Sequence, residues 1–432
     1  MSLILFGVTL VSGSFASLKK KALLPGETTH GHYQIEMQCN ACHSEGGGVS
    51  QEACMECHKE ELDRVDDSHP VVKFKDPRNA DRLKALDARQ CITCHKEHQP
   101  RATHSMGLTL PEDYCFQCHQ SIGEERPTHV NLSYKSCATA GCHNFHDNTA
   151  LYESFLQDHL GEPDMKNPAT VPLRKTSNHL EGLLSVLEAD VPNQVSVSRE
   201  LLHSWGQSAH AKTDVNCTQC HSPSSQQGSV SWDNFVSHET CGNCHARQLK
   251  GFLESRHGMR LKADFPSMTP EEARLPMKPE AGHLKLSCVS CHDAHRFRTN
   301  SAALEACLKC HDDEHSLAYM DSPHYTTWLN EQRGVSPAGT GVSCATCHLP
   351  RVHQTEFGEE ILVVDHNQNN YLRPNEKMVR SSCIHCHGLQ FSLNALADKD
   401  LVQKNFRGTP KVHVKSFEMI EEELMRTRAS AK

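Results

Sequence analysis

The 432-residue chain holds 22 cysteines and 32 histidines, and the cysteines repeat one spacing. Ten times the order is Cys, two residues, Cys, His. The first half carries Cys39, Cys42 and His43; Cys54, Cys57 and His58; Cys91, Cys94 and His95; and Cys115, Cys118 and His119. The second half carries Cys217, Cys220 and His221; Cys241, Cys244 and His245; Cys288, Cys291 and His292; Cys307, Cys310 and His311; Cys344, Cys347 and His348; and Cys383, Cys386 and His387. An eleventh stretch, Cys137, Cys142 and His143, keeps the order with four residues between the thiols, and every cysteine is then used. A shuffled chain of this composition would hold about 0.1 such pentapeptides, so the repeat is not a by-product of cysteine richness. Two thiols a short loop apart can each add to one vinyl group of the same porphyrin, and the next residue places an imidazole under its iron. Each motif is therefore expected to anchor and ligate one haem c, eleven in all. Zinc also takes cysteine pairs with histidine, but neither zinc nor disulfides require a histidine directly after every second cysteine.

Eleven motif histidines leave 21 others as candidates for the opposite face of an iron. Three placements recur. His32, His129 and His210 lie seven or eight residues ahead of a motif; His98, His146 and His295 follow a motif histidine by three; His210, His257 and His324 stand in Ser-x-His. A histidine three residues from a motif histidine cannot reach the far side of the same porphyrin, because three residues span at most about 10 Å; it suits a neighbouring haem. With His69, His104, His238, His283, His315, His353 and His366 these make fifteen candidate distal ligands, while His385 and His413 are set aside. The bland reading of any one of them is a solvated or propionate-bonding imidazole. Together they point to mostly bis-histidine irons, which pass electrons and are closed to substrate. None of the 12 methionines repeats in position as the histidines do.

The elements that must hold these groups are sparse. Only 37% of residues are hydrophobic and 6% aromatic, so haem is expected to fill the interior. The expected fold class is mainly α with much irregular structure, a haem-packed chain with little or no β-sheet. Motif spacing divides it into a signal peptide at 1–16, a five-haem domain at 28–150, a helical linker at 151–205, a six-haem domain at 206–390 and a helical tail at 391–432. In the linker Leu180, Leu183, Leu184 and Leu187 stand at helical spacing, followed by a second helix near Leu201 and Trp205. In the tail Phe417, Ile420 and Leu424 form an apolar stripe. Leu3 to Val11 is apolar and Ser14, Phe15 and Ala16 offer a cleavage site, which reads as an export signal or an uncleaved anchor. The protein is expected to be bacterial and exported, periplasmic or extracellular. Its formal charge of −9, deepened by haem propionates, argues against nucleic acid and for docking on a basic redox protein, with peripheral membrane association and homo-oligomers left open.

Two resemblances follow from these motifs. Residues 30–150, with CHKEH, CHNFH and one four-residue loop, resemble the class III and related multihaem c-type cytochromes, which implies an electron carrier with bis-His haems. Residues 200–395, with SAH, SRH, SPH, CHDAH, CHDDEH and GVSCATCHLPR, resemble the superfamily of octahaem hydroxylamine oxidoreductases and pentahaem nitrite reductases, which contains enzymes and pure electron carriers. The lysine-ligated CxxCK motif of the nitrite reductases is missing, and Tyr371 is the nearest candidate for the cross-linked tyrosine of the oxidising enzymes. The leading expectation is a carrier relaying electrons between a quinol-oxidising membrane complex and a terminal reductase. An enzyme acting on nitrite, hydroxylamine, tetrathionate or sulfite would need one open iron near Arg351, His366 and Tyr371. A polymerising wire would need a histidine such as His30 or His32 donated to the next subunit.

Overall fold

A computed structural model describes residues 24–44, 48–65, 69–137, 143–147, 153–173, 184–222, 231–356 and 358–430. The expected signal segment and Cys142 lie outside them. Six helices of eight or more residues occur among the described residues: α1 (Gln51–Arg64), α2 (Arg199–Gly206), α3 (Ala246–Glu254), α4 (Pro323–Gln332), α5 (Leu389–Ala397) and α6 (Ser416–Ser430). Single helical turns and irregular backbone connect them, and one antiparallel hairpin, β1 (Arg351–Glu356) with β2 (Glu359–Val364), pairs Arg351 with Val364. The fold is mainly α, as the composition implied.

The chain forms two units, Met1–Leu160 with Val414–Lys432, and Gly161–His413. These bounds differ from those drawn on motif spacing: residues 161–205 and 391–413 belong to the second unit, and the last residues to the first. In the first unit Ser50 caps α1 by accepting from the Ala53 N–H at 3.2 Å. α6 packs on the turn Pro127–His129 and the helix Glu153–Asp158, burying Phe417 and Ile420 as the stripe predicted.

In the second unit apolar packing concentrates late, where Val379, Leu389, Leu393, Leu396 and Leu401 are buried. α2 forms where expected, capped by Ser198, and Trp205 is buried with its indole N–H on the Val215 carbonyl. The preceding leucine helix fails in its described part. Leu187 sits in the short turn Val186–Glu188 and is 96% exposed. The Glu188 carboxylate takes the Ser185 N–H at 2.7 Å, which closes a tight turn. Leu180 and Leu183 lie outside the described residues.

Candidate functional site

Each motif histidine faces one other histidine, always within its own unit. In the first unit His43 faces His98 (ring centroids 6.4 Å apart), His58 faces His32 (5.9 Å) and His95 faces His146 (6.3 Å). There, too, His119 faces His69 (6.0 Å) and His143 faces His129 (6.2 Å). In the second unit His221 faces His295 (5.9 Å), His245 faces His210 (6.0 Å) and His292 faces His366 (6.3 Å). The remaining three couples are His311 with His257 (6.3 Å), His348 with His315 (6.1 Å) and His387 with His324 (6.3 Å). Two imidazoles bound to one metal at about 2.0 Å place their centroids roughly 6.3 Å apart. The eleven spacings therefore fit an iron between each pair, with the motif thiols beside it. The residues present suit haem.

Local sequence explains how several of these rings arrive. In Ser-x-His the serine is buried: Ser208 and Ser322 are N-caps that accept from the Ala211 and Tyr325 N–H groups, and Ser255, at the end of α3, accepts from the His257 N–H, at 3.1–3.3 Å. The next turn then presents His210, His324 or His257. In two of the His-x-x-His loops the second histidine takes a left-handed conformation, φ 60° at His98 and 71° at His295, which turns its ring away from the first.

Hydrogen bonds at Nδ1 leave Nε2 to aim at the metal. The Nδ1–H groups of His69, His95, His98, His221, His315, His366 and His387 donate to main-chain carbonyls of Phe145, Gly107, Gly26, Asp233, Val402, Val364 and Asp164 at 2.6–3.2 Å. Gly26 permits one of these, since a Cβ there would lie 2.7 Å from the His98 oxygen. Aromatic faces also pin two of these rings, with Trp232 stacked on His221 at 4.5 Å and Phe145 on His69 at 4.2 Å. Burial, reinforced by the facing imidazole, pushes His257, His324 and His348 down to about 4. Such rings stay neutral at ordinary pH, the form that donates to a metal.

Thiols of successive motifs also meet. Cys115 and Cys137, Cys241 and Cys288, and Cys307 and Cys344 share side-chain hydrogen bonds, so each first cysteine touches the first cysteine of the next motif. This contact pushes Cys115, Cys288 and Cys307 up and their partners down.

Eleven of the fifteen candidate distal histidines thus stand opposite a motif histidine. His104, His238, His283 and His353 do not. His238 contacts the Glu239 carboxylate at 3.2 Å and His353 that of Glu360 at 3.2 Å, while His104 and His283 are exposed. The suggested catalytic group does not surround a free imidazole face: His366 opposes His292, Tyr371 donates to Asp365 at 2.7 Å and Arg351 donates to the Pro172 carbonyl at 3.2 Å. His32, a candidate for donation to another subunit, opposes His58, and His30 contacts Tyr33 at 5.7 Å. Glu97, described below, and the stacking aromatics were missed in the sequence; for Glu97 the signal was a carboxylate inside CHKEH.

Thioether-spaced cysteines, each followed by an imidazole, and paired rings at metal-bridging distance define a multihaem c-type cytochrome. Residues 31–120 match the family described as cytochrome c3, which supports an electron-transfer cytochrome and covalently bound haem c. No curated protein and no solved structure matches the chain.

Proposed function

We propose that the chain binds eleven haems c, each iron closed by two imidazoles, and that it carries electrons outside the cytoplasm without turning over a substrate of its own. The observation that carries this reading is that all eleven motif histidines face a second histidine. Bound haem supplies a one-electron ferric–ferrous couple. The residues do the rest: main-chain carbonyls fix seven of the rings, burial keeps His257, His324 and His348 neutral, and paired ligands leave no coordination position for nitrite, hydroxylamine or a sulfur oxyanion. The likeness of residues 200–395 to the hydroxylamine oxidoreductase superfamily is then a likeness to its electron-carrying members. The charge of −9 favours a basic redox partner, a quinol-oxidising membrane complex on one side or a terminal reductase on the other. Among the described residues no helix is long and apolar enough to cross a membrane.

Low-temperature EPR of the oxidised holoprotein, with its intact mass, tests this. The expected result is low-spin iron throughout and a mass carrying eleven haems, one of them on Cys137 and Cys142. A stoichiometric high-spin signal with rapid turnover of nitrite or hydroxylamine would replace the carrier reading by the enzyme. Ten haems with two free thiols at Cys137 and Cys142 would remove the eleventh site.

A further inference from the structure

The pair His32–His58 differs from its neighbours in what its imidazoles hydrogen-bond. Seven paired histidines elsewhere give Nδ1–H to a neutral main-chain carbonyl. His32 gives it to a carboxylate, Glu97 Oε1 at 2.7 Å, and Glu61 Oε2 lies 3.5 Å from Nδ1 of the facing His58. At His311 a carboxylate also comes to 3.5 Å, from Asp313, but the ring opposite, His257, meets the neutral Gln368 amide.

Glu97 is held for this contact. The Thr29 backbone N–H donates to Oε2 at 2.7 Å and the Thr29 hydroxyl to Oε1 at 2.9 Å, and Thr29 is buried. Glu97 is the third residue of the loop His95-Lys96-Glu97-His98, whose two histidines face His146 and His43. One short loop thus reaches three ring pairs. The loop His143-Asn144-Phe145-His146 gives an internal comparison. Phe145 stands where Glu97 does and also meets a ring of a third pair, His69, but offers a neutral carbonyl at 2.7 Å.

We infer that Glu97 tunes the iron between His32 and His58, holding its potential below the value that a neutral acceptor at His32 would give. This rests on the reading of these histidines as ligands. A carboxylate that accepts Nδ1–H raises the basicity of the imidazole, and a more basic ligand favours ferric over ferrous iron. Glu97 touches no iron; it is a positioning residue acting through His32.

Potentiometric titration of the holoprotein followed by EPR and visible absorbance, on the parent protein and on E97Q and T29V, tests the assignment. E97Q keeps an acceptor of the same shape without its charge, so one redox component moves to higher potential while the others stay. T29V removes the hydroxyl that shares Oε1 with His32, leaving more of the carboxylate charge on the ring, so the same component moves lower. An unmoved titration in E97Q, or both variants moving the same way, overturns the inference. If E97Q does not fold, T29V alone decides, and an upward or absent shift there overturns it. The ligand reading has its own arm: H32A that keeps every iron low-spin would show that His32 is no ligand, whatever the potentials do.

Discussion

A histidine three residues beyond a motif histidine acts as a staple. His98, His146 and His295 face His43, His95 and His221, each belonging to a different motif from the one it follows. Changing His295 to Ala should therefore leave haem attached at Cys288 and Cys291 with His292 intact, and turn the iron at His221 high-spin and open to carbon monoxide. EPR with carbon monoxide difference spectra reads the change. H283A, at an exposed histidine opposite no motif ring, should leave the spectra as they are; a high-spin iron there, or none in H295A, would contradict the pairing. The direction of the staple was legible, since three residues cannot span a porphyrin. Its destination was not, because His43 and His98 meet across a long stretch of chain while His129 and His143 meet across a short one. The acceptors at Nδ1 were illegible for another reason: they are main-chain carbonyls, which every residue has.

At the scale of elements, the serines of Ser-x-His show how a repeat can be visible while its cause is hidden. The sequence displays the spacing, but that Ser208, Ser255 and Ser322 are buried and accept from nearby backbone N–H groups emerges only once the turns exist. α6 was legible as an amphipathic helix from Phe417, Ile420 and Leu424, yet a stripe carries no address, and its packing on the first unit could not be read. Leu187 shows the opposite failure: leucines at helical spacing suggested a packed helix, and the Ser185–Glu188 turn placed one of them in solvent instead. Phe417 is 1% exposed, so Phe417→Ala should cost about 3–5 kcal/mol through the cavity it leaves. A lowered denaturant midpoint, with the absorbance and EPR spectra under native conditions unchanged, would show it. An unchanged midpoint would mean that α6 is not anchored by this side chain.

Across the whole molecule the polypeptide alone is poor in core. In the first unit Tyr114, Leu156, Phe417 and Ile420 are the buried hydrophobic side chains among the described residues. So few buried side chains leave little apolar surface of the chain's own to hold the unit together. Chain made without haem attachment should therefore show no cooperative thermal transition. A sharp calorimetric transition in the haem-free chain would show that the protein core suffices.

The first unit takes residues from both Met1–Leu160 and Val414–Lys432, and this separates the order of synthesis from the order of completion. Its five histidine pairs all lie before Leu160 and can form as soon as that segment emerges. The helix α6, which packs on Glu153–Asp158, follows the whole of the second unit in sequence. The first unit is thus complete in its histidine pairs, but not in its packing, before the second unit has been passed in the sequence.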